Sequence, residues 1–279
     1  MTHEGIFPLL AAWRPPTEIR QPPTPSQLDR GGLRAGLSGD AIALAYQPKV
    51  DLSDERPVGA EALLRWRDPL AGVVSPEQVV RVAEDCGLID EVSLRVLALA
   101  VRDRATLLRA GIDLPVACNV SMHNLRDIAI VDRMHAIVLD AGDDPARFTF
   151  EVTETHLIDD LPSVLETLIR LRFRGFRIAI DDYGTGAATM QFLMQLPSTE
   201  LKIDRQFVMA ASRNDAGRAM LRSAIALGDA LHQDVVAEGV ETADDARMLR
   251  ELGCRYAQGY HYARPMAAEA LATWMAHRA

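Results

Sequence analysis

Carboxylates and amides close a series of short apolar runs along this chain of 279 residues. Glu61 lies in GAEALLRW, Asn119 in ACNVS, Glu151 and Glu154 in FTFEVTE, and Asp181 with Asp182 in IAIDD. Further on, LKID holds Lys202 and Asp204, VVAEGVE holds Glu238 and Glu241, and AQGY holds Gln258. Oxygen donors with no His or Cys among them suit a hard divalent ion, Mg²⁺ or Mn²⁺, better than zinc. Gathering so many acids on one surface is costly unless cations neutralise them. Taken singly, each acid has a plainer use as a helix cap or a solvated side chain. Their recurrence at the ends of successive apolar runs points instead to a metal site.

Asp181 and Asp182 are adjacent, and neighbours on an extended strand point to opposite sides. The glycines of DDYGTG permit a bend, so that both could serve a shared two-metal site. Lys202 stands between Leu201 and Ile203, where a buried ammonium needs a partner. A salt bridge to a neighbouring acid would satisfy it, and the same lysine could hold or help deprotonate an attacking water. Arg65 follows Glu61 at a spacing that puts both on one face of a strand. It fits a phosphate clamp, and equally an exposed partner for Asp68. The histidines, His123, His156 and His261 among them, show no metal-ligand spacing, and no Ser or Cys stands in a hydrolase elbow. Cys118, beside Asn119, reads as a small buried hydrophobe. The arginines of RLRFRGFR read as a solvated helix end.

These residues need elements to carry them. Apolar or β-branched runs predict strands at IALAYQPKVDL, VGAEALLRW, PVACNVS, FTFEVTE, FRIAIDD, TELKID, DVVAEGV and, more weakly, RYAQGY. Between them, helical periodicity marks PEQVVRVAEDCG, EVSLRVLALAVRDRATLLRAG, VDRMHAIVLDAG, LPSVLETLIRLRFRG, NDAGRAMLRSAIALGDALH and TADDARMLRELG, several ending at Gly. A short amphipathic helix, SQLDRGGLRAGL, precedes the first strand. Strands alternating with helices over roughly 240 residues suggest a closed TIM-like (β/α)8 barrel, whose strand ends converge on one rim. A doubly wound open sheet is the second choice, and no glycine-rich nucleotide fingerprint supports it.

Composition bounds the rest. With 39 acidic and 30 basic side chains, the net charge of −9 argues against a sequence-independent binder of DNA or RNA. Residues 1–25 contain six prolines and read as a flexible leader ahead of a single domain at 26–279. The opening residues lack a basic segment ahead of their short apolar stretch, so no signal peptide is expected. No uncharged run reaches the length of a membrane span. An odd number of scattered cysteines, Cys86, Cys118 and Cys254, suggests reduced thiols and a cytoplasmic location.

The motifs together resemble the EAL domain family, bacterial phosphodiesterases and receptors for cyclic di-GMP. The signature triplet is Glu61-Ala62-Leu63. YQPKVDL, AEDCGLID, CNVS, FEVTET, DDYGTG, LKIDR, VVAEGVET and QGY stand around it in the family's order over residues 40–270. The resemblance implies a barrel whose first strand is antiparallel to the others. It also implies a site in which Glu61, Asn119, Glu151 and Asp181 hold one metal and Asp181 and Asp182 the second, with Glu238 reaching it. Lys202, with Asp204 beside it, would position the nucleophilic water. Gln47, Arg65, Gln258 and Glu241 would meet the substrate, and Glu154 would brace the loop after Asp182. The implied reaction opens cyclic di-GMP to linear pGpG with two divalent cations, Mg²⁺ or Mn²⁺, in a homodimer open to a regulatory protein partner. The alternative within the family is a receptor that binds the nucleotide and signals to a partner. One departure bears on the choice: Tyr183 replaces the family's usual Phe, and Ala187-Ala188-Thr189-Met190 replaces its usual Tyr-Ser-Ser-Leu, in the loop that ties the second metal to the dimer interface.

Overall fold

The computed structural model describes residues 28–68, 72–153, 161–185 and 193–278. The Pro-rich leader, Glu154, His156, residues 187–190 and the side chain of Asp68 lie outside the described residues.

Helix α1 (Arg30–Ser38) starts where Asp29 caps it, accepting from the Gly32 N–H at 2.8 Å. Strand β1 (Ile42–Asp51) pairs antiparallel with β2 (Pro57–Asp68), in a register that sets Gln47 opposite Glu61. A short β3 (Gly72–Val74) extends the far end of β2. Two helices follow, α2 (Pro76–Asp85) and α3 (Ile89–Arg109). Then β4 (Val116–Asn119), α4 (Ala129–Asp140), β5 (Phe148–Thr153), α5 (Leu161–Phe173) and β6 (Arg177–Tyr183) alternate. Strand β7 (Glu200–Ile203) leads into α6 (Arg205–Ala211) and α7 (Asp215–Ala230). The chain ends with β8 (Asp234–Ala237), α8 (Ala243–Glu251), β9 (Tyr256–Gln258) and α9 (Ala268–Ala276).

The sheet runs β1-β9-β8-β7-β6-β5-β4-β2, and the β1–β2 pairing closes it into a barrel with β3 as an appendage. β1 is antiparallel to both of its neighbours, whereas β2 and β4 to β9 are parallel to one another. A parallel barrel with helices outside buries its strands on both faces, and successive residues such as Ile178, Ala179 and Ile180 of β6 and Val235, Val236 and Ala237 of β8 are all buried. On the outer face Phe150 packs against Phe176 with ring centroids 4.9 Å apart. Inside the barrel, below the rim, Lys49 and the buried Glu200 pair at 2.5 Å.

The expected basic helix end is solvated and paired. Arg170 and Arg174 each reach Asp132 at 2.6 Å, and Arg177 reaches Asp234 at 2.6 Å. Among the described residues, β3, α6 and α9 are elements that were not expected from the sequence. β3 has only three residues, too short for a period-2 pattern to register.

Candidate active site

The barrel brings the strand-end acids together around one ammonium. Lys202 Nζ, on β7, lies 2.7 Å from Glu151 of β5, 2.8 Å from Glu238 just beyond β8, 3.1 Å from Asp181 of β6 and 3.6 Å from Glu61 of β2. Lys202 is only 1% exposed and Glu151 2%, so this is an interior cluster at the mouth of the barrel. The salt bridge expected of Lys202 is thus made to the same strand-end acids that the sequence marked out.

Neutral donors complete the Glu61 shell. The Asn119 amide donates to one carboxylate oxygen at 2.8 Å and Gln258 to the other at 2.7 Å. Gln258 also reaches the Gln47 side-chain oxygen at 3.3 Å, so these residues, carried on β1, β2, β4 and β9, form one hydrogen-bonded chain. These contacts depend on the β1–β2 register and on the parallel pairing of β2 with β4.

The electrostatics follow from the crowding. Burial opposes ionisation of Glu61, but the Lys202 charge and the hydrogen bonds from Asn119 and Gln258 outweigh it and hold the carboxyl below its usual range. Burial and the neighbouring Glu61 charge push Glu151 well above that range. Burial, reinforced by Asp181 and Glu61 against the pull of Lys202, pushes Glu238 up to about 8. Burial lowers the proton affinity of Lys202, yet the charges of Asp181, Glu151, Glu238 and Glu61 more than compensate and keep it firmly an ammonium. Burial also raises the Cys118 thiol, as do the nearby Glu151 and Glu61 charges. It is an inert buried thiol, as its sequence context suggested.

Asp182 shows how two adjacent aspartates reach one site. The bend falls on Asp182 itself, whose φ of 55° lies in the left-handed region, at an irregularity in the pairing of β6 with β7. Gly184, which follows, also has a positive φ. Asp is one of the few residues that tolerates this conformation. The turn brings one oxygen each of Asp181, Asp182 and Glu238 within 4.8 Å of one another. Burial and the charges of Asp181 and Asp204 raise the Asp182 carboxyl.

The donor chemistry fits a hard divalent ion, being entirely oxygen and crowded, with Lys202 as the cation its carboxylates contact. Asp181, Asp182 and Glu238 offer the tightest group, and Glu61, Glu151 and Asn119 stand beside it.

The other expected residues divide. Glu241 is exposed and lines the same pocket as Gln47, Glu61, Glu238 and Gln258. Asp204 has the plainer role foreseen for a strand-end acid, since it caps α6 by accepting from the Gln206 N–H at 2.8 Å. It nevertheless stays close enough to act on Asp182. Arg65 is half-buried, donates to the Leu64 carbonyl at 2.9 Å and does not line that pocket. Arg205, Gly239, Gly259 and Tyr260 also line the pocket, and none was singled out from the sequence. Arg205 and Tyr260 could have been flagged from their places in LKIDR and QGY, directly beside expected site residues.

A profile of the EAL domain family matches residues 30–265. The chain belongs to the EAL domain family. Among the relatives of this EAL domain, cyclic di-GMP phosphodiesterase NbdA of Pseudomonas aeruginosa is 38% identical over 86% of the chain and 31% of NbdA. Cyclic di-GMP phosphodiesterase RocR of the same organism is 35% identical over 90% of the chain and 63% of RocR. The chain thus spans less than two thirds of either relative's length. The structure of the PaMucR phosphodiesterase in complex with c-di-GMP is 37% identical and superposes with a TM-score of 0.80, covering 86% of this chain and 98% of that one. Bd1971, an EAL enzyme solved with cAMP and cyclic di-GMP bound, is 28% identical with a TM-score of 0.81, covering 88% of this chain and 67% of that one. Among the described residues of this EAL domain, no helix is long and apolar enough to cross a membrane.

Proposed function

We propose that this EAL domain, residues 26–279, hydrolyses cyclic di-GMP to linear pGpG with the help of two divalent cations, Mg²⁺ or Mn²⁺. The observation that carries the reading is the set of carboxylates held around Lys202 at the barrel mouth. The relatives named cyclic di-GMP phosphodiesterase support the substrate.

Glu61, Asn119, Glu151, Asp181, Asp182 and Glu238 are the residues that would hold the ions. Bound there, the ions supply Lewis acidity, offsetting the phosphate charge and lowering the pKa of the attacking water. The protein's own part is positioning. Lys202 remains protonated, so it donates hydrogen bonds that fix the water and the developing oxyanion. Gln258 and Asn119 hold Glu61 in one orientation, and Gln47 and Glu241 shape the wall against which the dinucleotide lies. Asp204 anchors the start of α6 beside the site, and Glu154 is assigned the loop after Asp182. Arg65 is assigned to a substrate phosphate on the family resemblance alone, since it donates to the Leu64 carbonyl and does not line the pocket. A cytoplasmic homodimer under a regulatory partner fits this role in lowering the level of a bacterial second messenger.

Purified protein with Mg²⁺ or Mn²⁺ is expected to convert cyclic di-GMP to pGpG and to stop when a chelator is added. Tight nucleotide binding with chelator present, and no product with either ion, would establish the receptor alternative.

A further inference from the structure

Among the described residues, the cation that lines the pocket beside its acids and amides is Arg205. The side chain is exposed and makes no ion pair or hydrogen bond among the described residues, although Glu238 and Glu241 line the same pocket. Glu238 is already committed to Lys202 at 2.8 Å. The Arg205 stem is nevertheless fixed. Gly239, with φ of 67°, passes so close that a Cβ there would fall 2.3 Å from Arg205 Cβ. The absent side chain lets the loop after β8 pack against the base of the Arg205 side chain, which lines the pocket. An arginine left unpaired in an acid-rich pocket is poised for an incoming anion, and guanidinium forks match phosphate oxygens.

Cyclic di-GMP carries two phosphodiesters, of which one is cut at a time. Resting on the proposed phosphodiesterase reading, we infer that Arg205 binds the phosphodiester that is not being cleaved. It is a binding residue for the dinucleotide, outside the bond-breaking cluster. It gives the protein, despite its net charge of −9, a cation of its own for the far half of a dianion.

The test compares wild type with Arg205→Ala and Arg205→Lys in three measurements. These are kcat and KM for cyclic di-GMP with Mg²⁺, the calorimetric Kd of the product pGpG, and the dependence of KM on ionic strength. Arg205→Ala is expected to raise KM and the pGpG Kd by about tenfold, the scale of one charge-assisted hydrogen bond, with kcat kept. Arg205→Lys should recover part of the loss, and the salt dependence of KM should be shallower in Arg205→Ala. Unchanged KM and Kd, or a loss with the salt dependence intact, would overturn the assignment, the second result indicating a contact with the base. Wild-type protein that neither binds nor turns over the nucleotide would overturn the phosphodiesterase reading and this one with it.

Discussion

Lys202 Nζ lies 2.8 Å from Glu238 Oε1, and the same ammonium touches Glu151, Asp181 and Glu61. One buried cation thus serves carboxylates carried on β2, β5 and β6 and at the end of β8. Burial and the neighbouring acids raise the proton affinity of Glu151 and Glu238. The same crowding of carboxylates is what would draw divalent ions to the site.

Replacing Lys202 with Met keeps most of the volume and removes the charge. Breaking a buried pair by deleting one partner typically costs about 3–5 kcal/mol, because the other charge is left uncompensated. Lys202→Met should therefore melt well below wild type in chelator, and saturating Mg²⁺ should recover much of the difference. A melting curve in each condition checks this. A variant as stable as wild type in chelator would show that the carboxylates do not depend on the ammonium.

Stability of the metal-free protein should fall as pH rises between the ordinary glutamate value and about 8. Across that window the folded state keeps protons on Glu151 and Glu238 that the unfolded chain has released. The folded state binds more protons, so ΔG of unfolding decreases with pH. Divalent ions compete with those protons, and saturating Mg²⁺ should flatten or reverse the slope. Melting temperatures from about pH 5 to about pH 8, with chelator and with Mg²⁺, measure the effect. A metal-free protein that grows more stable as pH rises would contradict it.

Asp182→Asn isolates the role of a carboxylate from that of a turn. Asn tolerates the left-handed backbone as well as Asp does, so the positive φ at this position is kept. The variant in chelator should remain within about 0.5 kcal/mol of wild type. Its stabilisation by Mg²⁺ and its turnover should both drop sharply. Full retention of the metal-induced stabilisation would remove Asp182 from the ligand set.

Much of this was legible in the sequence because the site residues sit on strands whose apolar runs are unmistakable. Each of the eight expected strand segments became a barrel strand, and Glu61, Glu151, Asp181, Lys202 and Glu238 converge as barrel topology demands. Long-range pairing was not legible. The bond from Asn119 to Glu61 needs β2 and β4 side by side across two intervening helices, and no local pattern records that register. The bend at Asp182 was placed in the following glycines because an aspartate with positive φ is uncommon. Helix α6 escaped notice because its cap, Asp204, had been read for chemistry. Arg205 carries only a weak signal in the sequence, its place beside Asp204 in LKIDR, and the pocket it lines and the approach of Gly239 are what give the side chain meaning.

The most direct measurement is a single-turnover reaction, with protein in excess over cyclic di-GMP and Mn²⁺ present, the nucleotides being separated by chromatography. The expected result is loss of the cyclic form matched by an equal gain of pGpG, absent in chelator and absent in Glu61→Gln. Cyclic di-GMP that remains bound and intact in the presence of Mn²⁺ would contradict the assignment of this site as a phosphodiesterase centre.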